Sequence, residues 1–433
     1  MILNEKKRVA FKTLGCRLNQ YETDALVTDF SQAGYELVDY NESPDVVIVN
    51  TCTVTNQSDH KSRSVISQAA RTAKNAVVVV TGCMANNFKE KLESQENITF
   101  VVENSRKSSI LTLVDAHFSG EIAHPDQLPQ DVFRYEPVKK SLHTRSAVKI
   151  QDGCDNFCTF CIIPMVRGNA VSRPVADVLE SIRKTVDNGF KEIVITGVNI
   201  GRYSDGETRF EDLLAQILEV PGDFRVRISS LEPDGFGPDF VKLFAHPKLM
   251  PHLHLCLQSG SDKTLLRMRR MYDVEQFRKT VTQFRAIYAD FNFTTDIIVG
   301  FPGETEEEFG QTLEAIKEFN FSHIHTFKYS VRKGTRAERL ENHLPEKVKT
   351  ERSLQIRDLS VENKIDYFNS FIGKTQDVLV EKVAHGVASG YGEHYIPVRF
   401  KLAGAQKNAI HKVQLLERRG DDENSYLFGE AVL

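Results

Sequence analysis

Three short runs near the amino terminus do most to limit the fold. They are "RVAFKTLGC" (8–16), "DVVIVNTC" (45–52) and "AVVVVTGC" (76–83). Each is dense in apolar and β-branched residues without polar alternation, the pattern of a strand buried on both faces of a parallel sheet. Helical stretches separate them, such as "NQYETDALVTDFSQAG" (19–34), with Gly34 as its stop. The βαβαβ order predicts an open, doubly wound α/β domain over residues 1–125. Every run ends in a cysteine: Cys16, Cys52 and Cys83. Parallel strands share one carboxyl edge, where open α/β sheets bind ligands. Three cysteines far apart in sequence are therefore expected to converge. The alternative is three unrelated cysteines acting as small core residues.

Residues 126–140, "DQLPQDVFRYEPVKK", lack periodicity and contain two prolines, as a linker would. From 141 to 363 a strand–turn–helix unit repeats. The strand candidates are "SAVKIQDG", "EIVITGVN", "RVRISSLEP", "HLHLCLQSG", "FTTDIIVGFPG" and "HIHTFKYS". Amphipathic helices lie between them. Val175, Val178, Leu179, Ile182 and Val186 fall at helical spacing between Pro174 and Gly189. Asp273 with Gln276, and Thr305 with Glu308, are capping-box starts. Six β/α units are too few for an eight-fold barrel, so a partial barrel is expected, with its site in the loops at the strand carboxyl ends. From 364 to 433, four short strand candidates with polar turns, "GKTQDVLVEKV", "HYIPVRFKLAG", "KNAIHKVQLLERRG" and "SYLFGEAVL", predict a small β-barrel.

The stretch "IQDGCDNFCTFCIIPMVRG" (150–168) sets Cys154, Cys158 and Cys161 in a CxxxCxxC pattern. Closed structural zinc sites need four ligands, and no fourth Cys or His lies close by. Soft thiolates suit zinc, copper(I) or iron–sulfur clusters. A four-iron cubane held by three cysteines leaves one iron open, the mark of a catalytic site. A zinc site completed by a distant ligand is the alternative.

No apolar run is long enough to cross a bilayer, and the first residues lack the apolar segment of a signal peptide. A cytoplasmic protein with no membrane partner is expected, where thiols stay reduced. The net charge of −4 gives no global attraction to nucleic acid. Two local basic stretches, "LLRMRRMY" (265–272) and "YSVRKGTRAER" (329–339), read by themselves as solvated faces.

Cys154, Cys158 and Cys161, with Phe160 before the last, resemble the radical S-adenosylmethionine signature, placed after the first barrel strand. That superfamily has a partial (β/α)6 barrel. "TGVN" resembles its motif for the methionine amino group, and "SSLEP", "LQSG" and "DIIVGFPGE" resemble its later cofactor-lining strands. The resemblance implies that Thr196, Gly197, Asn199, Ser229, Glu232, Gln258 and Ile298 contact S-adenosylmethionine, and that Cys154, Cys158 and Cys161 hold a [4Fe–4S] cluster. Over essentially the whole chain, the order of domains resembles the methylthiotransferases. In that family the first domain holds an auxiliary [4Fe–4S] cluster, here on Cys16, Cys52 and Cys83. The last is an RNA-binding TRAM domain, whose opening "GKTQDVLVE" resembles.

The resemblance implies a transferase that inserts a methylthio group by radical C–H activation, with tRNA at its anticodon stem-loop, an electron donor and a sulfur donor as partners. "KTLGCRLNQYET", "TGVNIGRY", "RISSLEPDG" and "LQSGSDKTLLRMRRMY" look like the branch acting on N6-threonylcarbamoyladenosine. The isopentenyladenosine branch, the branch acting on a ribosomal-protein aspartate, and a non-catalytic Fe–S RNA-binding module are the alternatives. A threonylcarbamoyl group carries a carboxylate, so its pocket should offer Arg or Lys. Arg332, Lys333 and Arg336, after the last barrel strand, are the candidates; family members often carry prolines in this loop, where Val331 and Arg336 stand here. Cys256 reads as a core residue. His252 and His254 alternate as on a strand, with no nearby carboxylate in sequence to make them a metal site.

Overall fold

The computed structural model describes residues 6–73, 75–135, 144–422 and 424–432. Its first unit is a five-stranded parallel sheet in the spatial order Glu36–Leu37, Arg8–Thr13, Val46–Thr51, Val77–Gly82 and Phe100–Val102. The two central strands, Val46–Thr51 and Val77–Gly82, are buried throughout. Alternate residues go to opposite layers. Val47, Val49, Val78 and Val80 pack with Ile66, Ala69 and Met84. Val46, Ile48, Val77 and Val79 pack with Leu26, Phe30 and Ile110. Apolar layers on both faces explain why these runs show no alternation.

Six parallel strands follow in chain order, as Ser146–Lys149, Glu192–Thr196, Arg225–Ile228 continuing into Ser230–Leu231, His252–Leu255, Asn292–Val299 and His323–Lys328. No pairing is recorded between the first and the last among the described residues, so the barrel is partial. "SAVKIQDG" is two strands, because Gln151–Asp152 turns away to pair antiparallel with Val171–Ser172. The helix Val175–Asp187 fills the first crossover. Asp273 caps Val274–Ile287 by accepting from the Gln276 N–H, and Thr305 with Glu308 forms a capping box on Glu306–Phe319. The third crossover departs from the expected helix: it holds only a 3-10 turn, Val241–Ala245. Pro233, Pro238, Pro247 and Pro251, with Gly235 and Gly237, deny it a longer run.

The 24-residue helix Glu346–Asn369 leads into a closed five-stranded barrel. Four of its strands lie where the sequence suggests. The fifth, Val387–Tyr391, is missed because "GVASGYGE" reads as a turn. Gly390 lets it pass close to its neighbour: a Cβ there would lie 1.7 Å from the Leu379 carbonyl oxygen.

The small barrel is bolted to the large one through Glu192, a buried carboxylate on the second strand. Arg225 and Arg227 donate to it from Nε, Arg227 at 2.9 Å. Their outer nitrogens donate to the carbonyls of Asp377, Tyr391, Gly392 and Glu393 at 2.7–3.0 Å. The described part of the 126–140 stretch is packed: Lys149 Nζ donates to the Val132 carbonyl at 2.8 Å, and Tyr135 is buried edge-on against Tyr21. Residues 136–140 lie outside the described residues.

Candidate functional site

Cys16 caps the helix Arg17–Gln32, Cys52 follows the strand Val46–Thr51, and Cys83 opens the short helix Cys83–Asn87. All three line one cavity at the carboxyl edge of the sheet. Gly15 makes the approach possible at φ +100°: a Cβ there would lie 2.8 Å from Cys52 Cβ and 3.1 Å from its Sγ.

A buried ion network backs this trio. Glu22 meets Lys107 of its own domain, and Lys149 and Arg167 of the barrel at 3.0 Å each. Asp152 meets Lys149 at 2.6 Å and Arg167 at 3.0 Å. Burial alone would push the Glu22 carboxyl up, but Arg167, Lys107 and Lys149 hold it well below its ordinary value. Three cations face two carboxylates, so the network has one positive charge to spare, close to Cys83. Arg167 also donates to Asn19 Oδ1 at 2.8 Å, and Asn19 Nδ2 donates to the carbonyls of Leu14 and Thr51. The network thus fixes the two loops that carry Cys16 and Cys52.

The second trio lies in the loop after the first barrel strand, and each sulfur has a donor near it. The Arg270 Nη1 donates to Cys158 Sγ at 3.1 Å, the Asn199 amide to Cys154 Sγ at 3.7 Å, and the Ile163 N–H to Cys161 Sγ at 3.5 Å. Arg270 also pairs with Glu232 at 2.9 Å, and Asn156 donates to the same carboxylate. Burial pushes the Cys161 thiol up to about 12 and the Cys52 thiol up to about 11, so neither is a thiolate at neutral pH unless a cation joins it. Tetrahedral zinc gathers its sulfurs to within ~4 Å of one another. Among the described residues the set gathered within 4.8 Å is His254, Cys256 and Asp296, not either trio. Three soft sulfur donors in each trio suit a multi-iron cluster.

Two residues after Cys161, Ile163 lines the cavity of the first trio, and Ile162 belongs to one apolar cluster with Cys83 and Val166. The large cavity, about 1040 Å3, and a smaller one of about 200 Å3 beside Cys161 share Val54, Ile163, Asp296 and Phe327. Gln258 and Ile298 line the smaller cavity, and Thr196, Gly197 and Ser229 line the larger. The Asn199 Oδ1 and Ser229 Oγ atoms are buried with no hydrogen-bond partner, as groups awaiting a ligand would be.

Arg332 is placed elsewhere than the sequence suggested. It is buried against the first domain, donating to Asp59 at 2.7 Å, the Thr53 carbonyl at 3.0 Å and Asn56. Its charge is spent on an inter-domain bond. Lys333 and Arg336 are exposed, and none of the three lines either cavity. Arg270, read as part of a solvated basic face, is buried against the second trio. The histidine pair also has company: Asp296, from the neighbouring strand, lies 3.2 Å from His254 Nε2, while Thr294 Oγ1 lies 3.0 Å from its Nδ1. His252 and His254 face the large cavity with His323 and His325. Period-two alternation on three adjacent strands was the signal for this cluster. Cys256 is buried just past the end of its strand.

Residues 8–103 match the "Uncharacterized protein family UPF0004", and residues 148–316 match the radical SAM superfamily. A "Threonylcarbamoyladenosine tRNA methylthiotransferase MtaB" of Thermotoga maritima is 38% identical over 415 residues, covering 94% of each chain. One of Bacillus subtilis is 37% identical, again over 94% of each chain. A "tRNA-2-methylthio-N(6)-dimethylallyladenosine synthase" of Thermodesulfovibrio yellowstonii is 32% identical, over 89% of this chain and 90% of that one. The solved radical S-adenosylmethionine methyltransferase TsrM of Kitasatospora setae shares the fold, with a TM-score of 0.56 at 16% identity over 89% of this chain and 80% of that chain. The partial barrel with its three-cysteine loop defines a radical S-adenosylmethionine enzyme. This chain belongs to the methylthiotransferase family within that superfamily. S-adenosylmethionine and [4Fe–4S] chemistry come with that membership. Among the described residues no helix is long and apolar enough to cross a membrane.

Proposed function

We propose that the protein converts N6-threonylcarbamoyladenosine, beside the anticodon of tRNA, to its 2-methylthio derivative. The carrying observation is the pair of adjoining cavities, one reaching Cys16, Cys52 and Cys83 and the other Cys161, with Asp296 on the wall of both. A substrate carbon at that junction is within reach of both trios. The substrate choice is supported by relatives at 37–38% identity named for threonylcarbamoyladenosine.

In this reading Cys154, Cys158 and Cys161 hold the cluster that binds S-adenosylmethionine, and Cys16, Cys52 and Cys83 hold the auxiliary cluster. Each leaves one iron open. When bound, cofactor and cluster supply a carbon radical that takes hydrogen from an unactivated C–H bond. The chain's own residues bind and orient. Arg270 neutralises charge at Cys158 and fixes Glu232. Asn199 and Ser229 offer unpartnered oxygens, and Thr196, Gly197, Gln258 and Ile298 shape the walls. Ile162 and Ile163 keep water from the space between the trios. The surplus positive charge at Arg167 suits an anionic cluster on Cys83. The nucleotide would be extruded from the anticodon loop to reach this depth. The closed barrel from Thr375 would grip the RNA, in the cytoplasm, and the reductant and sulfur come from outside the chain.

Nucleoside mass spectrometry of tRNA from a deletion strain tests this reading. Loss of the 2-methylthio form with accumulation of threonylcarbamoyladenosine is expected. Loss of the methylthiolated isopentenyl nucleoside would move the substrate to the other tRNA branch. Unchanged tRNA would overturn the reading.

A further inference from the structure

Four cationic side chains line the large cavity: Arg17, Arg167, Lys364 and Arg399. Arg167 is held by Glu22 and Asp152. Lys364 donates to the Asp422 carbonyl at 3.3 Å, and Arg399 lies over the Tyr426 ring at 3.9 Å. The cavity's two carboxylates are also taken, Asp296 by His254 at 3.2 Å and Glu381 by Arg145 at 2.7 Å.

Arg17 differs. Its Nη2 donates to the Tyr395 hydroxyl at 2.7 Å and its guanidinium rests 5.4 Å from that ring. Among the described residues it has no carboxylate partner. It is the first residue of a 16-residue helix with no acidic side chain in its first turn and no side-chain cap, so free backbone N–H groups add positive potential beside it. The wall continues through Tyr395 to His252, stacked on it at 4.7 Å. Three buried polar atoms of the cavity wall lack partners: His252 Nδ1, Ser229 Oγ and Asn292 Oδ1. His252 is held neutral, by burial first and then by Arg227 and Arg17, so the fixed charge here belongs to Arg17. A guanidinium in a wall that also holds an unpartnered imidazole nitrogen and hydroxyl, both able to donate, is the chemistry that receives a carboxylate, whereas Asn292 Oδ1 can only accept.

We propose that Arg17, one residue after Cys16, reads the carboxylate of the substrate's N6 substituent. This rests on the threonylcarbamoyl reading above. A purine whose C2 faces the junction of the two cavities directs its N6 substituent away from that carbon. Arg17 reaches from the Cys16 loop toward the C-terminal barrel, along the same cavity. A site built to bond a polar group rejects an analogue that lacks it more strongly than an apolar pocket rejects a misfit.

The test uses the full chain and three anticodon stem-loop RNAs that differ only at the modified nucleotide, carrying threonylcarbamoyladenosine, its carboxamide analogue or plain adenosine. Fluorescence anisotropy gives Kd for the native protein, Arg17→Gln and Arg17→Lys. The native protein should bind the acid about tenfold or more tighter than the carboxamide, since charge-assisted bonds have that strength. Arg17→Gln should abolish that preference, and Arg17→Lys should restore part of it. Equal weakening toward all three RNAs would make Arg17 a phosphate contact and overturn the inference, as would an undiminished preference in Arg17→Gln. Failure of the native protein to distinguish threonylcarbamoyladenosine from adenosine would overturn the substrate reading and the inference together. Equal melting temperatures and iron contents establish that the variants are folded.

Discussion

Arg270 donates from Nη1 to Sγ of Cys158, 112 positions earlier in the chain, at 3.1 Å. The same nitrogen lies 2.9 Å from Glu232, so one guanidinium joins a cluster-loop thiol to a carboxylate of the third barrel strand's loop. Removing the guanidinium leaves a half-buried acid beside the Cys158 thiol. Arg270→Ala is expected to lower the melting temperature, with breaking a buried pair costing about 3–5 kcal/mol, and to reduce iron bound by a variant that keeps only the second cysteine trio. Arg270→Lys should recover part of both, because an ammonium keeps the charge but not the Nε bond to the Tyr272 hydroxyl that orients the guanidinium. Full iron occupancy in Arg270→Ala would refute the role.

Arg332 and Asp59 make a separate prediction. This buried pair ties the loop after the last barrel strand to the first domain. Arg332→Ala or Asp59→Ala should each destabilise by about 3–5 kcal/mol, and the double variant by clearly less than their sum. Chemical denaturation of the four proteins measures the coupling. Discrimination between acid and carboxamide stem-loops should survive Arg332→Ala; its loss would return this arginine to the substrate pocket.

Glu192 gives the acid response a definite window. Burial would raise its carboxyl, but Arg225, Arg227 and Arg145 together bring it down to about 2 from an ordinary 4.5. A depressed carboxyl stabilises the fold above its unfolded value and loses that contribution as pH falls from about 4.5 toward 2, for a total of roughly 3 kcal/mol. Denaturant titrations across that range should show the slope in the native protein and a shallower one in Glu192→Gln, which should also be less stable at pH 6. Equal slopes would exclude Glu192 as the group titrating.

The two trios are expected to load independently. The intact chain should carry about eight irons, and replacing either trio with alanine should leave about four. Without Cys154, Cys158 and Cys161, cleavage of S-adenosylmethionine should vanish. Without Cys16, Cys52 and Cys83, cleavage should persist while methylthio transfer stops. Zinc in place of iron would overturn the assignment.

Much of this is legible in the sequence. Runs such as "DVVIVNTC" carry their fold because burial on both faces removes polar alternation, and parallel strands oblige their cysteines to share an edge. Caps at Asp273 and Thr305 are local, so sequence spacing reveals them. What escaped was set across strands or by packing. Asp296 meets His254 only because neighbouring strands align Thr294 with it. Arg269 and Arg270 are adjacent, yet one is exposed and the other buried, a distinction that charge pattern cannot make. The strand Val387–Tyr391 hid behind glycines that serve close packing rather than a turn.

The network around Glu22 also bears on the order in which the molecule is assembled. Its partners Lys107, Lys149 and Arg167 lie 85, 127 and 145 positions further along the chain. During synthesis the first domain emerges with Glu22 and Lys107 already able to pair, while Lys149 and Arg167 are still to come. Until they arrive, the edge bearing Cys16, Cys52 and Cys83 is unwalled and open to whatever delivers iron and sulfide. Docking of the barrel then walls one side of that edge with Arg167 and Ile163, and leaves Cys16 exposed at the large cavity. The first domain can thus present its three cysteines before the barrel that walls them has been made.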